Sequence, residues 1–207
     1  MIRTRSLFRR GAAAAAAGAV ALLLAACGGS DDGSGDHGKD GAPASGPAAS
    51  REDHNTADVT FAKGMIPHHR QAVEMADLAP GRAASDEVKK LAADIKKAQD
   101  PEIETLSGWL DSWGEEVPAE GEMDHSMHGS AGGMMSAEDM EKLREAKGAA
   151  FDTAFMEMMI EHHEGAVAMA GTEQAEGSYA PAKKMAGEII SAQEAEIDAM
   201  KSLLDKG

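Results

Sequence analysis

Two short stretches of the chain place methionine beside paired histidines. The stretch Met-Ile-Pro-His-His at residues 65–69 recurs as Met-Ile-Glu-His-His at residues 159–163, 94 residues later. Thioether sulfur and imidazole nitrogen form a soft, neutral donor set that suits Cu(I), whereas zinc sites in proteins use thiolate, imidazole and carboxylate. The two stretches therefore predict a copper site. Its predicted ligands are Met65, His68, His69, Met159, His162 and His163.

These side chains can meet only if regular structure holds them on one face. Around the first stretch, acidic, aromatic, methionine and histidine side chains recur at helical spacing, within an arc of roughly 120° at about 100° per residue. Both histidines thus lie on the inward stripe of a helix, for which Asp58 is the predicted N-cap. The residues on this stripe are Asp58, Phe61, Met65, His68, His69, Ala72, Met75 and Ala76.

An internal repeat doubles this helix. Residues 58–110 align with residues 152–204 without a gap, and 19 of the 53 positions are identical. One repeat is a helical hairpin with a single apolar face, which needs a partner to bury it. Two repeats predict an all-α four-helix bundle with a pseudo-twofold axis, in which the histidine pairs face each other. Packing alone explains the repeated alanines, but buried imidazoles also need hydrogen-bond partners or a metal.

The second helix of each half carries polar residues that match between the repeats. Either they hold the imidazole N–H groups beside the metal, or they lie at the rim of the bundle. These residues are Gln99, Glu102, Gln193 and Glu196. Ser85 to Glu87 are expected to cap the first of these helices, whose predicted buried face includes Ile95 and Ala98. The other is expected from about Pro181 to Leu204, with Ile189 and Ala192 buried.

Residues 114–136 interrupt the helical periodicity and hold a second group of methionines and histidines. The segment is either a solvated loop or an auxiliary loop that contacts soft metal ions, and the second is favoured because methionine usually seeks a core. The auxiliary ligands would be Met123, His125, Met127 and His128, followed by Met134 and Met135. A helix is then expected from Ser136 through the second histidine pair, ending near Gly171.

The first residues read as an export signal. Four arginines precede an apolar run, and Leu24-Ala25-Ala26-Cys27 resembles a bacterial lipobox, which predicts a signal over residues 1–26 and a lipid on Cys27. An ordinary signal peptide or a short membrane anchor is the alternative. Residues 27–55 are rich in Gly, Ser, Ala and Asp and predict a flexible tether to a helical domain over residues 56–207. The protein would be anchored on the outer face of the cytoplasmic membrane.

Charge and residue usage exclude several function classes. The formal net charge is −16, and removal of a signal with four arginines and no acid makes it −20. Such a surface repels nucleic acid. Cys27 is the only cysteine, so the exported domain has no thiol nucleophile or thiolate metal site. We expect no catalytic residues and no cofactor other than copper, and the oligomeric state stays open.

The two motifs resemble those of a bacterial family, domain of unknown function 305. The first match runs from Asn55 to Ala76 and the second from Phe155 to Ala170, and the resemblance covers about residues 54–205. The resemblance implies a ferritin-like fold and, from some members, copper binding and resistance outside the cytoplasm, with the six predicted ligands as the site. Glu161 stands where the first motif has Pro67, so the two half-sites need not be equal.

The sequence predicts that the protein is an extracytoplasmic lipoprotein and that its function is to sequester or deliver Cu(I). One alternative is a non-metal binding module at the same location. Another is a di-iron enzyme, which requires a glutamate three residues before a histidine on two helices. Methionine or isoleucine occupies those positions before His68, His69, His162 and His163, which disfavours iron.

Overall fold

The computed structural model describes residues 53–119 and 132–206. Within these ranges the chain is all α, as expected, with five helices and no strand. The helices are α1 (Thr56–Arg82), α2 (Asp86–Trp113), α3 (Ala137–Glu145), α4 (Ala149–Glu176) and α5 (Ala180–Leu204). Helix α1 packs along α2, α4 packs along α5, and α1 and α4 pack against each other. None of these helices is both long and apolar enough to cross a membrane.

The start of α1 differs from the prediction. Asn55, not Asp58, is the N-cap, and its side chain accepts hydrogen bonds from the backbone N–H groups of Ala57 and Asp58. The Asp58 carboxylate bonds back to the Asn55 N–H, so the two residues form a capping box. The helix continues through Pro67 to Arg82, which carries both histidines of the first motif inside one helix.

The helix expected from Ser136 through the second motif is two helices. A helix does begin where expected, with Ser136 as the N-cap of α3, but α3 ends at Glu145 and α4 starts at Ala149. Gly148 between them has φ +64°, a left-handed conformation that glycine adopts easily and that interrupts a right-handed helix. Helix α4 then continues past Gly171 to Glu176. The hydrogen bond from Gly148 N–H to the Arg82 carbonyl, 2.8 Å long, ties the start of α4 to the end of α1.

Two buried aspartates join the repeats reciprocally. Asp152 at the start of α4 accepts hydrogen bonds from the N–H groups of Ala84 and Ser85 before α2, at 3.1 and 2.9 Å. Asp58 at the start of α1 accepts from the N–H groups of Ser178 and Tyr179 before α5. Residues 84–85 and 178–179 are equivalent in the repeat, so each half holds the turn of the other half in the same way.

Two apolar clusters lie on either side of the midpoint where α1 meets α4. One contains the part of α1 after the histidines and the part of α4 before them, with Met75, Phe155 and Met159. The other contains the part of α1 before the histidines and the part of α4 after them, with Met65 and Ala166. The two helices are therefore antiparallel, and the histidine pairs lie in the middle of the core.

Candidate metal centre

The four motif histidines meet at the midpoint of α1 and α4. His68 is 1% exposed and His69, His162 and His163 are fully buried. The rings of His68 and His162 are in contact across the two helices, with centroids 3.7 Å apart and planes tilted by 39°. The His162 and His163 centroids are 6.4 Å apart. The contact between His68 and His162 therefore brings the two motifs together between α1 and α4.

Acceptors fix the protonation of three of these imidazoles. His69 Nε2 lies 2.8 Å from Glu102 Oε2, and His163 Nε2 lies 2.6 Å from Glu196 Oε2, at equivalent positions in the repeat. Of the polar residues predicted on α2 and α5, the glutamates therefore contact the histidines. The buried side-chain oxygens of Gln99 and Gln193 have no hydrogen-bond partner among the described residues.

The third acceptor comes from outside the repeat. His68 Nε2 lies 2.7 Å from the backbone carbonyl of Gly132. A carbonyl or a carboxylate only accepts, so His68, His69 and His163 each carry hydrogen on Nε2 and, when neutral, a lone pair on Nδ1. This is the tautomer in which a ring is held by one nitrogen and free to bind a metal with the other.

The free nitrogens have no partner in the described part of the chain. Nδ1 of His68, His69 and His163 and both ring nitrogens of His162 are buried without a hydrogen bond. Buried polar atoms normally have partners because an unmade hydrogen bond costs about 1–3 kcal/mol. Because one nitrogen of neutral His162 carries hydrogen, the four rings offer four lone pairs at one place, which fits a metal ion.

The environment keeps His68 and His162 neutral. Burial lowers the pKa of His68 from 6.5 to about 3; the adjacent His69 lowers it further, while the Gly132 carbonyl opposes the shift. Burial, followed by the charges of His68, His163 and His69, places the pKa of His162 well below 6.5. Both rings thus present lone pairs at neutral pH, and a metal ion need not displace a proton from them.

The two motif methionines are fully buried on opposite sides of the histidines. Met65 lies in the cluster with Phe61, and Met159 lies in the cluster with Phe155. Across residues 53–119 and 132–206, no group of three or more His, Cys, Asp or Glu side chains has the arrangement of a complete metal site. Methionine is not among those residue types, and the sulfurs nearest to the histidine pairs in sequence are those of Met65 and Met159.

Comparisons with known proteins place the chain in a family. The sequence profile described as Domain of unknown function (DUF305) matches residues 58–204. The chain belongs to this family. No curated protein matches it.

Solved structures of DUF305 proteins and of a copper protein resemble this DUF305 chain. A Streptomyces coelicolor DUF305 protein, described as a candidate secreted protein, is 32% identical with a TM-score of 0.66, over 72% of this chain and 93% of that one. CopM in its Cu(I)-bound form is 33% identical with a TM-score of 0.60, over 72% and 96%. CopM in its Cu(II)-bound form is 35% identical with a TM-score of 0.63, over the same shares.

Other predicted residues of this DUF305 chain lie outside the described ranges. These are the lipidation residue Cys27 and the auxiliary ligands Met123, His125, Met127 and His128. Met135, at the end of the same segment, is described and buried at 5% exposure. The ligand roles of the six core residues likewise stay predictions.

Sequence reasoning missed a contact to the site from between the repeats. The Gly132 carbonyl reaches His68, and Gln71 and Gly165 pack against the same segment of backbone. One signal was present in the repeat alignment, where position 71 is glutamine and its equivalent 165 is glycine. A buried helical position that is glutamine in one repeat and glycine in the other indicates that the two positions pack against different neighbours.

Proposed function

We propose that this protein is an extracytoplasmic copper-binding lipoprotein that sequesters or delivers Cu(I). Its scaffold would be a ferritin-like four-helix bundle of α1, α2, α4 and α5. The observation that carries the proposal is the contact between His68 and His162, buried and neutral, with the Nδ1 atoms of the paired histidines unpartnered. Met65 and Met159 would supply thioether donors from either side, which favours the monovalent ion.

The solved relatives support copper as the metal. CopM has been solved in Cu(I)-bound, Cu(II)-bound and silver-bound forms, and it shares about a third of its residues with this chain. Silver, like Cu(I), prefers sulfur and imidazole to oxygen. The same donor preference follows from the methionine and histidine content of the motifs here.

Location and role follow from the same proposal. The relative described as a candidate secreted protein supports a location outside the cytoplasm, where Cys27 would carry the lipid. We assign the protein to metal binding and not to catalysis. A di-iron centre is disfavoured because Met65 and Met159 stand where that chemistry needs glutamates.

A Cu(I) titration tests the proposal. The full chain is titrated against a chromophoric competitor, beside a variant with His68, His69, His162 and His163 all changed to alanine. A variant with His54→Ala is the control, because His54 stacks on Trp113 away from the motifs. The fourfold variant should lose Cu(I) binding and the control should keep it. Equal affinity in a folded fourfold variant, confirmed by circular dichroism, would refute the assignment.

A cleft supports a second candidate function, the binding of a small organic molecule. It is an open groove of about 400 Å³ between α1 and α4, next to Phe61, Gly64, Met169 and Glu173. A mostly apolar cleft with a few polar groups is typical of small-molecule sites. This function predicts thermal stabilisation by organic ligands that is unchanged in the fourfold histidine variant, whereas copper binding predicts stabilisation by Cu(I) that the variant abolishes.

A further inference from the structure

The backbone of residues 132–135 lies directly on the central histidine contact. The Gly132 carbonyl is 2.7 Å from His68 Nε2 on α1. Gly133 lies against α4, where an added Cβ would be 2.3 Å from the Glu161 carbonyl oxygen and 3.0 Å from the Cα of His162. Gly133 also has φ +72°, which disfavours any side chain there. We call residues 132–135 the covering segment.

Gly165 on α4 makes room for the covering segment. A Cβ at this position would lie 1.8 Å from the Gly132 oxygen and 2.6 Å from the Gly133 nitrogen. Both are backbone atoms, so no side-chain rotation can relieve the clash. Gly171, six residues along the same helix, has open space where its Cβ would be. Gly165 is therefore specific to the contact, because helix formation alone would favour alanine at both positions.

Gln71 on α1 fastens the other end of the covering segment. Its amide donates to the Met135 carbonyl at 2.9 Å and accepts from the Met135 N–H at 2.7 Å. Gln71 is 4% exposed and Met135 is 5% exposed, so water does not compete for these bonds. Gln71 and Gly165 are equivalent positions of the repeat, 94 residues apart. The two repeats therefore differ at this one aligned position, and both residues there contact the covering segment.

We propose that Gln71 and Gly165 are positioning residues that hold the Gly132 carbonyl on His68 and so decide which nitrogen of His68 binds copper. With Nε2–H donated to Gly132, His68 offers Nδ1 only. No carbonyl of the covering segment holds either ring nitrogen of His162, its partner in the repeat. His68 is then the preset ligand of the central pair. This inference rests on the proposed copper function. Its first part, the tautomer of His68, can be measured in the metal-free protein.

The prediction about the His68 tautomer is tested without copper. Imidazole ¹⁵N shifts of the full, metal-free chain at neutral pH report the tautomer of His68, whose signal is identified by its loss in His68→Gln. The wild type and the control Gly171→Ala should show His68 as the Nε2–H tautomer. Gly165→Ala should displace Gly132 and give a mixture of tautomers. An unchanged His68 signal in folded Gly165→Ala would overturn the proposal.

A second variant covers the case in which Gly165→Ala does not fold. Gln71→Ala removes both bonds to Met135 and adds no volume, so the covering segment is released without a clash. It should shift the His68 tautomer in the same direction. If Gln71→Ala retains the wild-type Nε2–H signal, the positioning role is refuted whatever the other variant does.

Copper affinity tests the second part of the proposal, that the tautomer of His68 affects Cu(I) binding. Loss of a group that orients a metal-binding histidine typically costs about 10–100-fold in metal affinity. Gly165→Ala and Gln71→Ala should therefore bind Cu(I) at least about tenfold more weakly, and Gly171→Ala should match the wild type. A changed tautomer with unchanged Cu(I) affinity would overturn the link to copper. Absence of Cu(I) binding by the wild type would instead refute the proposed function and leave the tautomer result standing.

Discussion

The carboxyl group of Glu173 on α4 faces that of Asp58 on α1, although Glu173 is 1% exposed and Asp58 is fully buried. Burial opposes ionisation of Asp58, but the N–H groups of Asn55, Tyr179 and Ser178 together hold its pKa below 3.8. Glu173 receives no hydrogen bond from a described N–H or O–H group. Burial, then the bond to Asp58 and its negative charge, raises the pKa of Glu173 to about 8. Glu173 therefore carries the proton of the pair.

Glu173→Gln should remove a loss of stability at alkaline pH. The folded pKa of Glu173, about 8, lies above its ordinary value of 4.5, so its stabilising contribution is present below pH 4.5 and is lost as pH rises through 8. Glutamine donates a hydrogen bond to Asp58 at any pH. Urea unfolding should give similar free energies for the two proteins near pH 5 and a more stable variant at pH 9.

The matched control for this experiment is Glu176→Gln. Glu176 lies in the last turn of the same helix and is exposed, so its neutralisation removes the same charge without affecting the buried pair. The control should follow the wild type from pH 5 to 9. Equal pH dependence in the wild type and Glu173→Gln would contradict the protonated pair.

Asp152→Asn should weaken the fastening of the α1–α2 turn. The carboxylate accepts from Ala84 N–H and Ser85 N–H, and a hydrogen bond to a charged group contributes about 1.5–3 kcal/mol. The amide keeps one acceptor oxygen and places a donor against the other N–H. Urea unfolding should show a loss of about 2 kcal/mol, within that range. Asp198→Asn, an exposed change on α5, should cost almost nothing, and a similar loss there would show that the effect is not specific to the turn.

The repeat predicted the contact between His68 and His162 because helical periodicity sets which side chains face inward. An ungapped duplication then places equivalent residues on equivalent faces. The bonds from His69 to Glu102 and from His163 to Glu196 follow the same logic, since one register holds both. Contacts between side chains on regular helix faces could therefore be predicted from the sequence.

Contacts from irregular backbone could not be found this way. The Gly132 carbonyl lies in a segment with no period, so nothing in the spacing shows that it reaches His68. The predicted apolar faces of α2 and α5 also included two alanines wrongly, since Ala98 and Ala192 were expected to be buried and are exposed. The neighbouring Gln99 and Gln193 take the inward position instead, at 3% exposure each. A polar residue that is buried in the repeat cannot be recognised from its hydropathy.

Binding of Cu(I) by the central pair should persist in mild acid. Because the folded pKa of His68 is about 3, protons do not compete for this ring at pH 5, and burial lowers the pKa of His162 in the same direction. Cu(I) affinity, measured against a competitor calibrated at each pH, should change little between pH 7 and pH 5 on account of these two ligands. A tenfold or larger loss per pH unit would indicate ligands that titrate as free histidines do.

The metal-free protein should in turn lose stability over the same acid range. A histidine whose folded pKa is depressed contributes stability that is complete above pH 6.5 and lost as pH falls toward the folded value, by about 1.4 kcal/mol per pH unit for each group. Urea unfolding of the metal-free chain should therefore weaken from pH 6.5 to 5. His68→Phe should reduce that slope, whereas His54→Ala should leave it unchanged.

Glu102→Gln and Glu196→Gln should weaken copper binding without loss of a ligand. Each carboxylate holds one Nε2–H and raises the basicity of the opposite nitrogen, and loss of such a partner typically costs about 10–100-fold in metal affinity. Glu104→Gln on α2 and Glu194→Gln on α5 are the matched controls, because both residues are exposed on the same helices. Equal Cu(I) affinities in all four variants would show that the glutamates only fill space at the edge of the core.

Met65→Leu and Met159→Leu separate a sulfur ligand from a packing residue. Both methionines are fully buried among apolar side chains, so burial alone explains their presence. Leucine conserves the volume, and such exchanges usually cost less than about 1.5 kcal/mol of stability. If the sulfurs bind Cu(I), each variant should fold normally and lose Cu(I) affinity. Met75→Leu, equally buried on α1, should leave that affinity unchanged. Full Cu(I) affinity in the Met65→Leu, Met159→Leu double variant would leave the histidines as the only ligands of the core site, and the preference for Cu(I) over Cu(II) would then lose its chemical basis.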